Sequence, residues 1–481
     1  MSTHLNGISA GLSGMNRGDV ITMKFSKMLA AITQVLNQDS DTQVDVCMTS
    51  EMARRIELWT AMYEDNAPWV DQKKVKSAQL SAAIASEVAR LVTLEMKSEI
   101  TGGSSAAYLN DQYQKKVLTS IREYVEYGCA KGGLILKPYV TKTGLAIQYV
   151  QADCFFPLAF DDSGQIQQCV FTEQFRKGQK IYTRLEVHTL QGEQIRITNR
   201  AFVATNDYSL GSEIGINSVD RWSELMPEAV MEGADRLLFG YFKVPLANAD
   251  DTGSPLGVSV YSRAVELIKE GDRRYSNICW EYEGTQLAVH VATSLLKYNR
   301  DLDKFEYPGG QDRLYRNVEY NSGATDKPFM DIFSPEIRDT ALFNGFNNQL
   351  KLIEFACCLA YGTLSDPQNV DKTATEIKTS KQRSYTFVSD TQLALQTALK
   401  DLVYAMNFWA SLYGLISPGN DYQVSFDWDD SIVVDAEAER QTDRADVAMG
   451  VMSLAEYRSK WYGETLEEAQ KNLPEPASVE E

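Results

Sequence analysis

The sequence predicts an α+β fold, and three observations indicate this class. Three long segments repeat apolar residues every three or four positions, the spacing of amphipathic helices. Residues 133–206 form short alternating stretches separated by turns rich in Asp, Gly and Ser, which indicates antiparallel strands. A second strand-like stretch, residues 284–333, separates the first two helical segments. This order predicts a helix pair that carries a small inserted β module.

The first helical segment opens with Ser254-Pro255. A serine can accept a hydrogen bond from a free N–H at a helix start, and proline fits the first helical position because it has no N–H to leave unpaired. The spacing predicts one helix of roughly 28 residues, about 42 Å long. Its stripe of apolar or small residues is Val260, Ala264, Leu267, Gly271, Tyr275, Ile278 and Tyr282.

The second and third segments are predicted to be helices of similar or greater length. The second opens with Ser334-Pro335 and is predicted to end at Gly362, since glycine commonly terminates helices. The third opens with Thr373, which can form a capping box with Glu376, and is predicted to end at Gly414. A break at residues 387–390 remains an alternative. Periodicity alone is also typical of core helices in an ordinary α+β protein.

The flanking regions add shorter elements. Residues 21–127 have helical periodicity, and residues 424–428 predict a strand near the end of the chain. Two short C-terminal helices are predicted from capping boxes, one formed by Ser453 and Glu456 and one by Thr465 and Glu468. The acidic residues that follow predict a loose tail.

Composition limits the classes of function. The 481 residues allow roughly two to four domains, and no apolar run approaches the length of about twenty residues that spans a bilayer. The N-terminus lacks the features of a secretory signal, which predicts synthesis in the cytoplasm. A net charge of -19 disfavours binding of a DNA duplex through a basic face. The same charge is compatible with the wall of a protein channel through which DNA slides without being bound tightly.

The sequence offers no convincing catalytic, cofactor-binding or metal-binding residues. Residues 7–11 match the G-x-S-x-G pattern, but the strand and helix that this motif needs are not predicted around them. A Walker loop is absent, so the chain is a poor candidate for an ATP-driven motor. Asp427, Asp429 and Asp430 lack the glycine and terminal glutamate of a calcium loop. The seven cysteines and three histidines lack zinc-site spacing.

The order of these parts resembles the portal proteins, or head-to-tail connectors, of tailed double-stranded DNA bacteriophages, in particular the long-tailed phages of Gram-positive hosts. Three stretches carry the resemblance. Residues 254–274 resemble the entry into the portal stem. Residues 362–383 resemble the tunnel-loop region and the helix after it. Residues 424–432, 450–453 and 463–469 resemble the closing strand and the C-terminal helices of the family.

The resemblance implies a portal-like domain plan. It places a wing in residues 1–250, with its β-rich part in residues 133–206, a first stem helix in residues 251–283 and a clip in residues 284–333. It further implies a second stem helix in residues 334–362, a tunnel loop in residues 363–372, a wing helix and closing strand in residues 373–432, and a crown with the C-terminal tail in residues 433–481. Within the tunnel loop, Gln368, Asn369 and Lys372 are the candidate DNA-facing residues.

The resemblance also implies a function. Portal proteins of this family form a homo-oligomeric ring, a dodecamer, at one capsid vertex of the virion. The ring is a channel for DNA entry and exit. Its expected partners are the terminase large subunit during packaging, the head-completion or tail adaptor protein afterwards, and the major capsid and scaffolding proteins. No enzyme activity, cofactor or membrane contact is expected. The alternatives are another virion structural or adaptor protein and, with less support, a nucleic-acid-processing enzyme.

Overall fold

A computed structural model describes most of the chain. The described residues are 23–39, 47–71, 74–94, 96–286, 288–292, 296–300, 304–306, 315–318, 330–333, 336–366, 374–428 and 436–473. They form helices together with several sheets, which confirms the predicted α+β class.

The described α-helices are α1 Phe25–Asp39, α2 Ser50–Tyr63, α3 Leu80–Thr93, α4 Ala106–Tyr113, α5 Ile121–Lys131, α6 Val265–Gly284, α7 Asp339–Ala356, α8 Ala374–Leu412, α9 Ala436–Ala448, α10 Leu454–Tyr462 and α11 Leu466–Lys471. The described strands are β1 Met96–Gly102, β2 Gly133–Thr141, β3 Gly144–Gln151, β4 Phe155–Phe160, β5 Ile166–Lys177, β6 Lys180–Gln191, β7 Gln194–Ala204, β8 Ser212–Ile214, β9 Glu228–Glu232, β10 Gly240–Lys243, β11 Ala288–Ala292, β12 Lys297–Asn299, β13 Lys304–Glu306, β14 Tyr315–Val318, β15 Met330–Phe333 and β16 Tyr422–Trp428.

The predicted β-rich region folds as antiparallel sheets, as expected. Strands β4 to β8 lie side by side in chain order in the largest sheet, and β9 pairs with β7. A second sheet has the order β10-β2-β3 and packs against α8. This contact is close because Gly240 of β10 has no side chain: a Cβ there would lie 2.0 Å from the carbonyl oxygen of Ala398. The long helix and the sheet thereby share one core.

Strand β1 was not predicted. Residues 21–127 have helical periodicity, yet β1 interrupts them and pairs antiparallel with β16, from Met96 opposite Trp428 to Gly102 opposite Tyr422. The predicted strand at residues 424–428 is therefore confirmed, and its partner lies in the N-terminal region. Because the two strands are distant in sequence, the local pattern around β1 does not reveal the pairing.

The predicted start of the first long helix is wrong. Residues 254–264 are mostly irregular, and α6 begins only at Val265. In this stretch the Val260 amide donates to the Cys129 carbonyl at 3.0 Å, and Val258, Val260 and Tyr261 are buried against the core. A Cβ on Gly257 would lie 2.1 Å from the Gly132 carbonyl oxygen. The apolar spacing there reflects burial of an irregular segment, which resembles a helical stripe in the sequence.

The second and third helices also differ from prediction. Helix α7 ends at Ala356 rather than at Gly362, and Ser334-Pro335 lies outside the described residues. Helix α8 is continuous through residues 387–390, so the possible break there is absent. Its predicted end is confirmed, with Gly414 in the left-handed conformation just beyond the last turn. Thr373 lies outside the described residues.

The inserted β module and the C-terminal helices follow the prediction where they are described. Strands β11 to β15 lie between α6 and α7, and β11 pairs parallel with β14 and antiparallel with β15. At the C-terminus, both predicted capping boxes are formed, by Ser453 with Glu456 and by Thr465 with Glu468. These caps are local patterns, which explains why the sequence reveals them.

Candidate functional site

Helices α6 and α7 form the antiparallel pair that the sequence predicts on either side of the inserted strands. The Gln349 side-chain amide donates to the Leu267 carbonyl at 2.9 Å, and the Arg274 guanidinium donates to the Gly345 carbonyl at 2.8 Å. Both bonds join a side chain of one helix to the backbone of the other. They fix the rotation and the register of the pair more strictly than apolar packing alone, because a hydrogen bond has a preferred direction.

An ion pair joins the two helices where the inserted strands leave and return. Glu281, near the end of α6, accepts from the Nε and Nη2 atoms of Arg338 at 3.0 and 2.7 Å. Arg338 directly precedes α7. Hydrogen bonds from Arg338 lower the pKa of the Glu281 carboxyl. This bidentate geometry, which is specific to arginine, holds the ends of the pair together at the base of the β module.

The opposite side of α6 is attached to the N-terminal region. The Asp272 carboxylate accepts from the indole N–H of Trp69 and from the amide of Ala78, both at 2.9 Å. Burial raises the pKa of this carboxyl, and the two hydrogen bonds oppose the effect. Ser276, one turn further on, accepts from the Lys76 amide at 2.8 Å. Helix α6 is therefore the member of the pair that is anchored to the rest of the fold by directed polar contacts.

The solvent-exposed faces of the two helices differ in chemistry. Helix α6 exposes three charged residues, one amide and two large aromatic residues: Glu266, Arg273, Asn277, Trp280, Tyr282 and Glu283. After its first two residues, α7 exposes only uncharged residues: Ala341, Phe343, Asn344, Asn348, Leu352 and Phe355. The side chains of Leu352 and Phe355 are 54% and 58% exposed. An uncharged face with exposed apolar residues, in a chain of this net charge, indicates a contact surface.

The turn after α7 is attached to the helix that precedes it. Glu354 is fully buried and accepts hydrogen bonds from the amides of Gly362, Leu364 and Ser365. Asn347 accepts from the amide of Asp366 at 2.7 Å. The first part of the predicted tunnel loop, residues 363–366, is thus folded back on α7. Gln368, Asn369 and Lys372, the predicted DNA-facing residues, lie outside the described residues, so their role stays a prediction.

The described part of the chain contains no group of three or more His, Cys, Asp or Glu residues arranged to hold a metal ion. Asp427, considered above as a cation ligand, lies in β16 beside Lys97, with 3.8 Å between the carboxylate and the ammonium group. Asp429 and Asp430 lie outside the described residues. Among the described helices, none is long and apolar enough to cross a membrane.

The family model for "Phage portal protein, SPP1 Gp6-like" matches residues 33–475. The chain belongs to this family. As a portal protein it is a virion component and the head-to-tail connector, which confirms the function predicted from the sequence. Because the family is one of structural proteins, the prediction that the chain is not an enzyme is also confirmed.

Solved structures similar to this portal protein share little sequence identity with it. One similar structure, titled "Neck of native GTA particle computed with C12 symmetry", has 12% identity and a TM-score of 0.40, and the match covers 79% of this chain and 89% of the other. Another, titled "Virion of native gene transfer agent (GTA) particle", has 11% identity and a TM-score of 0.41, with coverage of 89% and 98%. No curated protein matches.

The main features of the site that the sequence did not reveal are the contacts of Glu354, Asp272 and Glu281. Each of these acidic residues lies in a helix, and the hydrogen-bond partners of its side chain lie outside that helix. The available signal was weak: Glu354 stands between Ile353 and Phe355, and a lone acid in an apolar stretch of helix indicates a buried partner. The sequence does not show which residues supply the hydrogen bonds.

Proposed function

We propose that this portal protein assembles as a homo-oligomeric ring, a dodecamer, whose axial channel admits and releases double-stranded DNA at one capsid vertex. The single observation that carries the proposal is the uncharged exposed face of α7, with Leu352 and Phe355 open to solvent. Such a face leaves apolar area that a neighbouring copy can bury. A head-to-tail contact between two different faces closes into a ring when the rotation between copies allows it.

The domain plan inferred above belongs to the same proposal. Helices α6 and α7 are the stem, and the β module between them, within residues 284–333, is the clip that docks the terminase large subunit and later the head-completion or tail adaptor protein. Residues 1–250 are the wing, residues 373–432 continue it, and residues 433–481 form the crown and the C-terminal tail. The major capsid and scaffolding proteins are further expected partners of the ring. The antiparallel α6–α7 pair, joined by the ion pair between Glu281 and Arg338, supports this plan.

The charge of the chain supports a conduit that does not hold DNA tightly. With a net charge of -19 per copy, the assembled wall repels the phosphate backbone, and contact is left to local polar groups. We propose Gln368, Asn369 and Lys372 of the tunnel loop for this contact. Changing all three to alanine is expected to leave the ring intact and to lower the amount of DNA per particle. An unchanged amount of DNA per particle would show that these three residues do not contact DNA in the channel.

The finer classification, a long-tailed phage of a Gram-positive host, rests on the resemblance of residues 254–274, 362–383, 424–432, 450–453 and 463–469. Synthesis in the host cytoplasm rests on the N-terminus, which lacks the features of a secretory signal. Particles that carry the protein are expected to show a long tail in electron micrographs. A short tail would reject this classification and leave the portal function in place.

The ring is tested by placing one charge on the exposed face of α7. In Leu352→Glu, each new contact would bury an unpaired carboxylate, so assembly is expected to need a roughly 30-fold or higher protein concentration. Val230→Glu is the matched control, because Val230 is also an exposed apolar residue and lies in β9 of the wing. Native mass spectrometry gives the copy number, and negative-stain class averages show whether an axial channel is present. Equal assembly of both variants would reject α7 as the contact surface.

A further inference from the structure

We propose that Glu354 is a positioning residue, which sets the direction in which the chain leaves α7 and thereby places the base of the predicted tunnel loop. This inference rests on the proposed function, since the position of that base matters only if the loop faces the channel. It concerns residues 354–366, all of which the structure describes.

The contacts of Glu354 are unusually numerous for a single side chain. Its Oε1 atom accepts from three backbone amides, those of Gly362 at 3.1 Å, Leu364 at 2.6 Å and Ser365 at 2.8 Å. Its Oε2 atom accepts from the Ser365 hydroxyl at 2.9 Å. The side chain is fully buried, and Ser365 is only 3% exposed. One carboxylate therefore accepts from three of the four backbone amides of residues 362–365, while the Thr363 amide donates to the Ala360 carbonyl.

The burial of this carboxylate is tolerated because of these bonds. A buried charge without partners is strongly unfavourable, whereas hydrogen bonds to an ionised acceptor are short and strong. Successive backbone amides that point into one concavity form a typical anion-binding nest. Here the nest is filled by the protein's own side chain. The buried carboxylate is consequently stabilised by the amides of the turn, and the turn is held in one position relative to α7 by the carboxylate.

Two further contacts hold the chain just before and just after this turn. Asn347, two turns before Glu354 on α7, accepts from the Asp366 amide. Arg383 of α8 donates to the Leu359 carbonyl at 3.4 Å, and its guanidinium lies 4.4 Å from the centre of the Phe355 ring. The turn is therefore fixed between the second stem helix and the next long helix, and a displacement of α7 would move residues 362–366 with it.

The Glu354 side chain is not needed to end the helix. Helix α7 ends in a Schellman motif, in which the Leu359 amide donates to the Glu354 carbonyl at 2.9 Å and the Cys358 amide donates to the Phe355 carbonyl at 3.4 Å. These backbone bonds already satisfy the last turn. The carboxylate instead binds residues that lie eight to eleven positions further along the chain. The Glu354 carboxylate therefore sets the direction of the segment that follows the helix, residues 362–365.

The experiment combines a local and a functional measurement on Glu354→Ala, Glu354→Gln and Ser365→Ala, with Thr397→Ala as the control. Thr397 is exposed on α8, away from the proposed contact face of α7. The local measurement is amide hydrogen exchange of residues 362–365 in the assembled protein. In Glu354→Ala, exchange is expected to rise about tenfold or more, because three amides lose a charged acceptor. Glu354→Gln, which keeps one carbonyl oxygen, and Ser365→Ala, which loses one bond, are expected to show smaller rises.

The functional measurement is the amount of DNA per particle, together with the copy number of the ring. We expect the ring to form in all variants and the DNA content to fall in the order of the exchange rates, with Thr397→Ala unchanged. Faster exchange with normal DNA content would overturn the positioning role, and so would normal exchange in Glu354→Ala. Loss of the ring in all three variants would show that Glu354 serves assembly instead. If the unchanged protein forms no ring, the proposed function itself fails.

Discussion

The large sheet, β4 to β8 with β9, and the α6–α7 pair use charge in opposite ways. On one face of the sheet, Glu173 of β5 and Arg184, Glu186 and His188 of β6 form a polar cluster with Lys137 of β2 in the neighbouring sheet, and all five side chains are buried. Along α6, the ion pairs of Glu266 and Glu270 have at least one partner open to solvent. The sheet therefore holds oppositely charged groups in its interior, whereas the helix pair carries its ion pairs and exposed apolar area on its surface. This contrast supports the proposal that neighbouring copies contact the helix pair.

Glu186 is the centre of the polar cluster. Its carboxylate lies 2.8 Å from the Lys137 ammonium, 3.1 Å from Arg184 and 2.7 Å from the His188 ring nitrogen. Burial by itself would raise the pKa of the Glu186 carboxyl, but Lys137 and Arg184 hold it well below its usual value. Arg184 is also paired with Glu173 at 3.2 Å. The charges compensate one another, so removal of one leaves the others buried without a partner.

The largest predicted effect follows from this compensation. Glu186→Ala is expected to lower the free energy of unfolding by about 3–5 kcal/mol, the range for a buried ion pair that loses one partner. Urea denaturation followed by tryptophan fluorescence measures the change. Glu281→Ala, which removes the ion pair with Arg338 between α6 and α7, is the comparison. It is expected to lower the free energy of unfolding clearly less, because the Arg338 side chain stays solvated. Similar losses for the two variants would contradict the distinction between the regions.

The second prediction concerns pH and the same cluster. Burial lowers the pKa of His188, and the nearby Lys137 and Arg184 lower it further, while the bond to Glu186 opposes the shift. The unfolded chain binds a proton below about pH 6.5, whereas the folded protein takes it up only at lower pH. Stability is therefore fully present above the unfolded pKa and falls as the pH drops below it, by up to about 1.4 kcal/mol per pH unit.

His188→Gln tests this prediction, because glutamine keeps a polar group but does not titrate. The variant is expected to lose part of the decrease in the free energy of unfolding between pH 7 and pH 5. Glu186, whose pKa is depressed, contributes its own loss at lower pH, so this interval separates the two groups. Equal slopes for the two proteins would show that His188 is not held neutral in the fold.

The features that the sequence predicted correctly depend on neighbouring residues. The capping boxes at Ser453 and Thr465 and the strands of residues 133–206 belong to this group. The incorrect predictions depend on distant partners. Strand β1 has its partner in β16, and the apolar residues of 254–264 are buried by α5 and its surroundings rather than by a helical stripe. Similarly, no local pattern links Glu354 to residues 362–365. Tertiary contacts, which periodicity does not contain, decide these cases.

The ends of α7 and α8 illustrate the same limit and give the smallest predicted effect. Both helices end in a Schellman motif, but the left-handed position is Gly414 after α8 and Cys358 after α7, with φ of 67° and 58°. Because the sequence has no glycine at position 358, the predicted end moved to Gly362. A residue with a Cβ costs about 1–2 kcal/mol in this conformation, and glycine costs about 0.5–1 kcal/mol in chain entropy.

Cys358→Gly is therefore expected to stabilise the protein by a few tenths of a kcal/mol up to about 1 kcal/mol, the difference between these two contributions. Gly414→Ala, the matched variant at the end of α8, is expected to destabilise it by about the same amount, since it introduces the cost that Cys358 already carries. Paired urea midpoints measure both changes. Destabilisation by Cys358→Gly would mean that packing of the thiol outweighs the backbone strain, and that the end of α7 is held by its side chains as well as by its motif.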